Sequence, residues 1–267
     1  MVPMNKKNVL VFVPVYNCQK QISRVLDQLE QDWVVGAVSA VIVVDNQSTD
    51  QTASVVAQRI QARGDKYIQL LRNSSNYGLG GSHKVAFQYA AEHGFEWLVV
   101  LHGDDQGSIV DFRPFIDRSK DLSIDAVLGS RFMRGASAPG YSRFRIFGNL
   151  VFNLVYSACL GRRIHDLGAG LNMYRVSSLR KQEYVKYPDN LTFNCVMLCS
   201  QVIKRDSIMF APITWREDDQ VSNVKLFRQS IQTLKIALAA FFRRGKFASS
   251  EHRQVKVAAY SWEVKNV

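Results

Sequence analysis

Cysteine is scarce in this sequence, and its pattern excludes two classes of protein. The 267 residues include four cysteines, with no C-x-x-C pair and no histidine at zinc-finger spacing. We therefore expect neither a zinc finger nor a disulfide framework, and we interpret the thiols as ordinary reduced cysteines of a cytosolic protein. They are Cys18, Cys159, Cys195 and Cys199.

Long apolar runs are also lacking. No stretch reaches the ~18 apolar residues that a membrane span needs. Basic residues precede an apolar run near the N-terminus, but that run contains Pro14 and is too short for a signal peptide. The sequence therefore predicts a cytoplasmic protein, with any membrane contact peripheral and on the cytoplasmic face. Internal repeats and low-complexity tracts are absent as well.

Acidic residues are depleted in the second part of the chain. The net charge is +11, but residues 1–125 carry 12 Lys/Arg against 14 Asp/Glu, whereas residues 126–267 carry 22 against 9. The second part is therefore expected to face an anionic partner, such as acidic lipid head groups or phosphorylated ligands. Nucleic acid is not expected, because no RNA-binding signature, helix-turn-helix or zinc finger is present.

Short apolar runs of β-favouring residues predict buried strands. The clearest runs from Trp97 to Leu101, and the others are Val9–Val13, Ala40–Val44, Tyr67–Leu71 and Ala126–Gly129. Helical patterns separate them, including one with Ile22, Val25, Leu26 and Leu29 on one face and one that ends near Arg63. Strands that alternate with helices predict an α/β fold with a Rossmann-like, mostly parallel sheet.

The polar segment after the fourth strand is the strongest candidate site. His102, Asp104, Asp105 and Gln106 follow Leu101 directly, and ligands in open α/β sheets bind beyond the carboxyl ends of the strands. Carboxylate and amide oxygens suit Mg²⁺ or Mn²⁺. The alternative is an acidic turn that caps the next helix.

A glycine-rich segment, residues 73–82, follows the third strand. Its spacing matches neither the dinucleotide fingerprint nor the P-loop. Taken alone it predicts a flexible turn that ends at a Ser82 cap, before a helix from about His83 to His93.

Two apolar helices are predicted in the basic part of the chain. The first, Ile146 to Leu160, is too short to cross a bilayer and is expected to pack in the core. The second runs from about Val224 to Arg244, with Phe227, Ile231, Leu234, Leu238 and Phe241 on one face. Such a basic amphipathic helix either lies in a membrane interface or packs on the domain with its basic face in solvent. We place the domain at residues 1–225 and the C-terminal helix and tail at 226–267.

Several segments together, over about residues 8–230, resemble the inverting glycosyltransferases of family 2, which have the GT-A fold. They are Pro14–Asn17, Val44–Thr52 (V-D-[DN]-x-S-x-D-x-T), Asn76–Gly81 (N-x-G-x-G-x), His102–Gln106 (D-x-D-x-Q) and Gly129–Phe132 (G-S-R-[YF]). Two further segments resemble those of the polyprenyl-phosphate sugar transferases, the dolichyl-phosphate mannose synthase-like branch. They are Asp166–Gly170 (D-x-x-S-G) and Arg216–Ser222 (R-x-x-G-x-S).

The resemblance implies a role for each matching residue. The nucleotide-sugar donor would be bound by Pro14, Tyr16, Asn17, Asp45, Asn46, Ser48, Gly78, Asp104, Arg131 and Arg216. Mn²⁺ or Mg²⁺ would be held by His102, Asp104 and Gln106. The catalytic residues would be Asp104, Arg131 and Asp166.

The sequence departs from the family pattern at three of these positions. His102 replaces the first acid of D-x-D, Cys18 replaces a frequent acidic residue, and Ala169 replaces the serine after Asp166. If the His102 imidazole binds the metal, Mn²⁺ should support activity better than Mg²⁺. Alternatively, His102 only forms a hydrogen bond to a phosphate or to a carboxylate.

The acceptor decides the role of Asp166. A sugar hydroxyl needs a carboxylate base, whereas a polyprenyl phosphate is already anionic and would leave Asp166 to position the acceptor or nearby arginines. The sequence predicts a polyprenyl-phosphate or lipid-linked glycan acceptor, used in making cell-surface polysaccharide or glycolipid. The alternatives are an inactive nucleotide-sugar-binding module and a nucleotidyltransferase.

Overall fold

The computed structural model describes residues 8–217 and 226–265. The strands of this part are β1 Val9–Val15, β2 Ala40–Asp45, β3 Ile68–Asn73, β4 Trp97–Leu101, β5 Ala126–Ser130, β6 Leu171–Arg175, β7 Ile208–Pro212 and β8 Trp262–Val264. The helices are α1 Ile22–Leu29, α2 Asp32–Ala37, α3 Thr52–Arg63, α4 Gly78–Glu92, α5 Arg113–Asp117, α6 Arg143–Leu160, α7 Val176–Leu179, α8 Phe193–Ile203, α9 Leu226–Phe242 and α10 Arg244–Phe247.

The eight strands form one sheet in the order β7-β5-β6-β4-β1-β2-β3-β8. β6 runs antiparallel to β4 and β5, and β8 runs antiparallel to β3, while the other pairs are parallel. The predicted α/β fold with a mostly parallel sheet is therefore confirmed.

The central strands β1, β2 and β4 are almost continuous apolar runs because helices cover both faces of the sheet there. In β4, Leu98 and Val100 pack with α4, α6 and α8, whereas Val99 and Leu101 pack with α1 and α5 on the opposite face. No residue of β4 has exposed surface. A strand buried on both faces loses the polar alternation of a half-exposed one.

The predicted start of the helix after the glycine-rich segment is wrong, because α4 begins at Gly78 rather than at His83. Gly78 has φ +71°, and a Cβ there would lie 2.4 Å from the carbonyl oxygen of Asp189. Ser82 does not cap a helix; its hydroxyl accepts a hydrogen bond from Asn73 Nδ2 at 3.1 Å. Glycine is therefore needed where the backbone before α8 approaches the first turn of α4.

The expectation that the apolar helix α6 packs in the core is only partly correct. Asn153, Tyr156 and Leu160 are its buried residues. Its exposed apolar side chains are Phe144, Phe147, Leu150, Val151 and Leu154. Among the helices of the described residues, none combines the length and apolar character needed to span a membrane.

The C-terminal part packs on the domain. α9 contacts α6, where the Tyr156 hydroxyl donates a 2.7 Å hydrogen bond to the Thr233 carbonyl. Ala237 and Ala240 are buried, whereas Ile231, Leu234, Leu238 and Phe241 of the predicted apolar face are exposed. The predicted helix start at Val224, the side chain of Phe227 and the proposed boundary at residue 225 lie outside the described residues. The boundary stays a prediction.

A buried lysine connects this tail to α4. Lys84 has no exposed surface, and its ammonium group donates to the Tyr187 carbonyl (2.6 Å), to Asp189 Oδ1 (2.6 Å) and to the Tyr260 hydroxyl (2.9 Å). Burial lowers the pKa of Lys84 to about 8, and Asp189 opposes that shift. The pattern of the sequence gives no signal for this cluster.

His83 of α4 makes the stability of the fold depend on pH. Its ring is buried between Phe12 (5.3 Å between centroids) and Phe193 (5.1 Å), and burial lowers its pKa from 6.5 to about 3. The unfolded chain therefore takes up this proton first as the pH falls below 6.5. We expect His83 to remove up to ~1.4 kcal/mol of stability per pH unit between 6.5 and 3.

Urea unfolding between pH 7 and pH 5 measures this effect. The free energy of unfolding should fall more steeply for the wild type than for His83→Leu, which has no proton to take up. Equal slopes for the two proteins would contradict the assignment.

Candidate active site

The predicted site residues lie at one edge of the sheet, where the carboxyl ends of the parallel strands β4, β1 and β2 meet. The Gly103 amide, just after β4, donates to the Pro14 carbonyl at 3.1 Å, and the Asn46 amide, just after β2, donates to the Val15 carbonyl at 3.0 Å. Three loops that are far apart in sequence therefore form one surface.

The loops after β1 and β2 are tied together by hydrogen bonds. Asn17 has φ +55°; its amide donates to the Ser48 hydroxyl at 3.1 Å, and its Oδ1 accepts from the Thr49 amide at 2.8 Å. Tyr16, beside this connection, is half exposed. Of the predicted donor-binding residues, Asn17 and Ser48 thus hold the two loops together, while Tyr16 offers a ring to a ligand.

Asp45 at the end of β2 is fully buried. Its Oδ1 accepts from the Ser48 amide at 2.9 Å, and its Oδ2 lies 3.5 Å from Arg72 Nε, within ion-pair distance but without hydrogen-bond geometry. In this structure Asp45 shapes the loop and has no surface for a base or ribose. Its predicted contact with the nucleotide stays a prediction that requires Arg72 to move.

Asn46 links β2 to the start of α4. Its Nδ2 donates to Asn76 Oδ1 at 2.7 Å, and its Oδ1 accepts from Asn73 Nδ2 at 2.9 Å and from the Tyr77 amide at 2.8 Å. Asn76 Oδ1 also accepts from the Gly78 amide at 3.0 Å. These bonds hold the glycine-rich segment against the loop after β2, where the resemblance places the nucleotide. The spacing of the glycines alone did not indicate this contact.

The segment after β4 separates two neighbouring carboxylates. Asp105 has φ +58° and turns into the protein, where it pairs with Arg24 Nε at 2.7 Å and accepts from Gln28 Nε2 at 2.9 Å. Asp104 is half-buried, and its Oδ1 accepts from the Gln106 amide at 3.3 Å. Asp104 is therefore the carboxylate of the pair that lies toward solvent.

Arg216 comes to this segment from the loop after β7. Its amide donates to the Gln106 carbonyl at 2.9 Å, and Gln106 Nε2 donates back to its carbonyl at 3.2 Å. The Arg216 guanidinium is half exposed and lies 3.5 Å from Asp105 Oδ1. The rest of the predicted R-x-x-G-x-S motif, residues 218–222, lies outside the described residues.

The His102 ring is held against Gly170 and Trp215. A Cβ on Gly170 would lie 2.7 Å from atoms of both rings, which accounts for glycine at this position. Burial, and to a lesser extent Arg131, lowers the pKa of His102 to about 4, so the imidazole is neutral at pH 7. Its Nε2 is buried and has no hydrogen-bond partner in the described residues.

The donor atoms fit an open site for a divalent cation rather than a closed one. The described residues contain no cluster of three His, Cys, Asp or Glu side chains that would enclose a metal. A carboxylate at Asp104 and an amide oxygen at Gln106 suit Mg²⁺ or Mn²⁺, which typically complete their shells with water and substrate phosphates. The unpartnered His102 nitrogen is a neutral donor, and its contact with a metal stays a prediction.

Arg131 and Asp166 form a buried ion pair beside this site. Arg131 Nε and Nη2 each donate to one Asp166 oxygen at 2.8 Å, the Arg131 amide donates at 2.9 Å, and the Gly168 amide at 3.1 Å. Burial opposes the charge on Arg131, but Asp166 outweighs burial and raises the pKa of Arg131 above its ordinary value. The pair leaves Arg131 little surface for the predicted contact with phosphate.

Two aromatic residues that the sequence analysis missed complete the site. The Trp215 ring lies 5.5 Å from the Arg131 guanidinium and 6.5 Å from the His102 ring. The Tyr141 hydroxyl accepts from Arg131 Nη1 at 3.3 Å. The only signal for Trp215 was its place next to Arg216.

The fold and the sequence both place this chain in a known class. Residues 10–182 match Glycosyl transferase family 2. The chain therefore belongs to this family, which confirms the family predicted from the sequence motifs.

Two similar proteins carry more specific names. A polyprenol monophosphomannose synthase of Mycolicibacterium smegmatis is 24% identical over 66% of this chain and 64% of its own length. An undecaprenyl-phosphate mannosyltransferase of Micrococcus luteus is 28% identical over 64% of this chain and 68% of its own length. The chain thus spans about two thirds of the length of these relatives.

Solved structures share the fold. A mannosyltransferase from Pyrobaculum calidifontis, in complex with GDP-Man and Mn²⁺, has a TM-score of 0.59 at 18% identity and covers 91% of this chain and 65% of its own. A glucosyl-3-phosphoglycerate synthase from Mycobacterium tuberculosis has a TM-score of 0.61 at 15% identity and covers 97% and 87%. The predicted GT-A fold is confirmed.

Proposed function

We propose that this chain is a metal-dependent inverting glycosyltransferase. It moves a sugar from a nucleotide-sugar donor to a polyprenyl-phosphate or lipid-linked glycan acceptor. The family, the site at the carboxyl ends of β1, β2 and β4, and the names of the two relatives support this function. Those names make mannose the first sugar to test and a prenyl phosphate the first acceptor.

The choice of acceptor rests on the hydrogen bonds that the Asp166 carboxylate accepts. Its two oxygens accept four hydrogen bonds, three of them from Arg131. A carboxylate that is held in this way is poorly suited to remove a proton from a sugar hydroxyl, because it must first give up its partners. An acceptor that is already anionic needs no such base. Asp166 then acts as a positioning residue through Arg131.

We assign the nucleotide-sugar donor to the loops after β1, β2 and β4, across the site from the Arg131–Asp166 pair. The loops joined by Asn17 and Ser48 form one side of the nucleotide site. The half-exposed Tyr16 ring is available for contact with the nucleotide. Asp104 and Gln106, with His102 as a further candidate, are the residues that would hold Mn²⁺ or Mg²⁺. A divalent cation there supplies Lewis-acid neutralisation of charge on the diphosphate. The half-exposed guanidinium of Arg216, whose backbone bonds to Gln106, is the arginine that we assign to the same phosphates.

With a phosphate acceptor, the transfer step forms one bond and breaks one bond and requires no proton transfer. An acceptor phosphate oxygen attacks the anomeric carbon from the side opposite the diphosphate, and the new carbon–oxygen bond inverts that carbon. The bond to the leaving oxygen breaks, and its electron pair stays on the nucleoside diphosphate.

The test is to incubate the protein with a nucleotide sugar, Mn²⁺ or Mg²⁺ and a prenyl phosphate, and to identify both products. The proposal expects a prenyl-phosphate sugar and a nucleoside diphosphate, only when metal is present. Pyrophosphate as product would identify a nucleotidyltransferase instead, and binding without any product would identify an inactive module.

The exposed surfaces of α6 and α9 support peripheral contact with an anionic membrane. The two helices pack together and leave large apolar side chains exposed, among them Phe144, Phe147, Phe241 and Phe242. Exposed apolar residues combined with the +13 charge of residues 126–267 suit an anionic lipid surface.

We expect the protein to sediment with vesicles of anionic lipid at low salt. Replacing Phe144 and Phe147 with serine should weaken this binding on the order of tenfold, because both side chains would insert apolar area into the interface. The control is Val110→Ser, a half-exposed residue on the opposite face of the sheet. If the wild type ignores anionic vesicles, membrane contact is wrong.

A further inference from the structure

A groove runs between α6 and the turn that follows it. Its volume is about 580 Å³. The residues that matter for its chemistry are Phe132, Leu150, Leu154, Arg162, Arg163 and His165. The sequence predicted no binding role for these residues, although Phe132 belongs to the G-S-R-[YF] segment.

One wall of the groove is apolar and faces solvent. Leu150 and Leu154 lie one helical turn apart, and Leu154 is 71% exposed. Phe132 extends this wall toward the sheet. Apolar surface of this kind is suited to a hydrocarbon chain.

The other wall is cationic and contains Arg162 and Arg163. Arg162 donates to two backbone carbonyls, those of Asp206 (3.3 Å) and Ile208 (2.5 Å), which fixes its guanidinium without cancelling the charge. Arg163 is exposed. In residues 8–217 and 226–265, neither arginine forms an ion pair with a carboxylate. Two uncompensated guanidinium groups beside an apolar wall match an anion that carries a hydrocarbon chain.

The turn after α6, residues 161–165, is fixed by hydrogen bonds and ends beside the candidate active site. The His165 carbonyl accepts from Asn153 Nδ2 at 2.7 Å and from the Ser130 hydroxyl at 3.1 Å. His165 immediately precedes Asp166, and Phe132 immediately follows Arg131. One end of the groove therefore lies next to the buried Arg131–Asp166 pair.

We propose that this groove binds the acceptor as a prenyl phosphate, with Arg163 and Arg162 contacting the phosphate and Leu150 and Leu154 contacting the first isoprene units. This assignment rests on the proposed function, because it takes its ligand from the proposed acceptor. It names the residues of the acceptor subsite and explains why an apolar helix is left exposed beside the site.

The test uses a two-isoprene prenyl phosphate that dissolves without detergent, so that binding to the groove is separated from binding to a bilayer. Equilibrium binding and the KM for transfer are measured for the wild type, Arg163→Glu and Leu154→Ser. The matched control is Arg118→Glu, which makes the same charge change at an exposed arginine after α5, on the opposite face of the sheet.

Arg163→Glu should raise the Kd and the acceptor KM by about tenfold or more, since a charge-assisted contact becomes a repulsion. Leu154→Ser should raise both several-fold, while the donor KM stays within about twofold in each variant. Arg118→Glu should match the wild type. Unchanged acceptor binding in Arg163→Glu would overturn the proposal. Equal affinity for inorganic phosphate and prenyl phosphate would also overturn it, because the apolar wall would then have no role.

Failure of the groove and failure of the proposed function give different results. If the wild type transfers sugar to the prenyl phosphate and Arg163→Glu does so with the same KM, the groove assignment is wrong and the function stands. If the wild type binds the prenyl phosphate through Arg163 but transfers no sugar to it, the groove stands and the proposed function is wrong.

Discussion

Replacing Asp166 with alanine is expected to lower the free energy of unfolding by about 3–5 kcal/mol and to abolish sugar transfer. The reason is that Arg131 is nine-tenths buried and that both oxygens of the Asp166 carboxylate accept hydrogen bonds from its guanidinium group. The variant leaves an uncompensated charge in the protein interior. Urea unfolding and a transfer assay with a prenyl phosphate measure the two effects.

A double-mutant cycle supplies the control. Arg131→Ala combined with Asp166→Ala removes both charges, so the double variant should lose less stability than the sum of the single variants. Transfer should remain absent in all three, because none keeps the pair. Additive losses of stability would show that the two side chains act independently, contrary to the observed contacts.

Asp166→Asn separates positioning from base catalysis. The asparagine keeps one oxygen acceptor for Arg131 but can neither carry the charge nor take a proton. If Asp166 acts by fixing Arg131 and takes no proton from the acceptor, the remaining activity should have the pH profile of the wild type. A profile that loses an acidic limb would identify Asp166 as a general base instead.

Replacing Asp104 with alanine is expected to lower kcat on the order of 10²–10³-fold and to abolish the effect of metal on nucleotide-sugar binding. Asp104 is the half-buried carboxylate of the candidate metal site. The free energy of unfolding should change by less than about 1 kcal/mol, because truncating a half-buried side chain removes little packing.

The neighbouring carboxylate is the matched control. Asp105 is buried and bonded to Arg24 and Gln28, so Asp105→Ala should lose about 1–3 kcal/mol of stability. Its metal dependence should persist wherever the protein is folded. If Asp105→Ala and Asp104→Ala lose metal dependence equally, the separation of the two roles is wrong.

Strands β1 to β5 could be predicted because each is a local apolar pattern, whereas β6 and β7 were not predicted. Trp97–Leu101 has the predicted bounds, since an uninterrupted apolar run reflects burial on both faces. The start of α4 was missed because glycines normally disfavour a helix, and the contact between Gly78 and Asp189 that favours them here is not local. β8 was missed because three residues of the tail pair with a strand almost 200 residues away.

The site was predicted less completely than the fold. Family spacing singled out Asp104, Gln106, Arg131 and Asp166, and it left open whether Asp166 acts as a base or positions nearby arginines; it did not specify the direct pairing of Asp166 with Arg131. Their contact joins the end of β5 to the turn before β6, which only the sheet order brings together. The exposure of α6 was equally hidden, because an apolar helix that packs in a core and one that faces a membrane have the same sequence pattern.

The proposed glycosyltransferase must bind a nucleotide sugar together with a divalent cation at Asp104. The measurement is thermal stabilisation of the wild type and of Asp104→Ala by UDP-, GDP- and CDP-sugars, with Mn²⁺, Mg²⁺ or a chelator. A ligand at 100 times its dissociation constant adds ~2.7 kcal/mol. We expect one nucleotide class to stabilise the wild type only with metal, and Asp104→Ala to lose this effect. Equal stabilisation of both proteins, with or without metal, would contradict it.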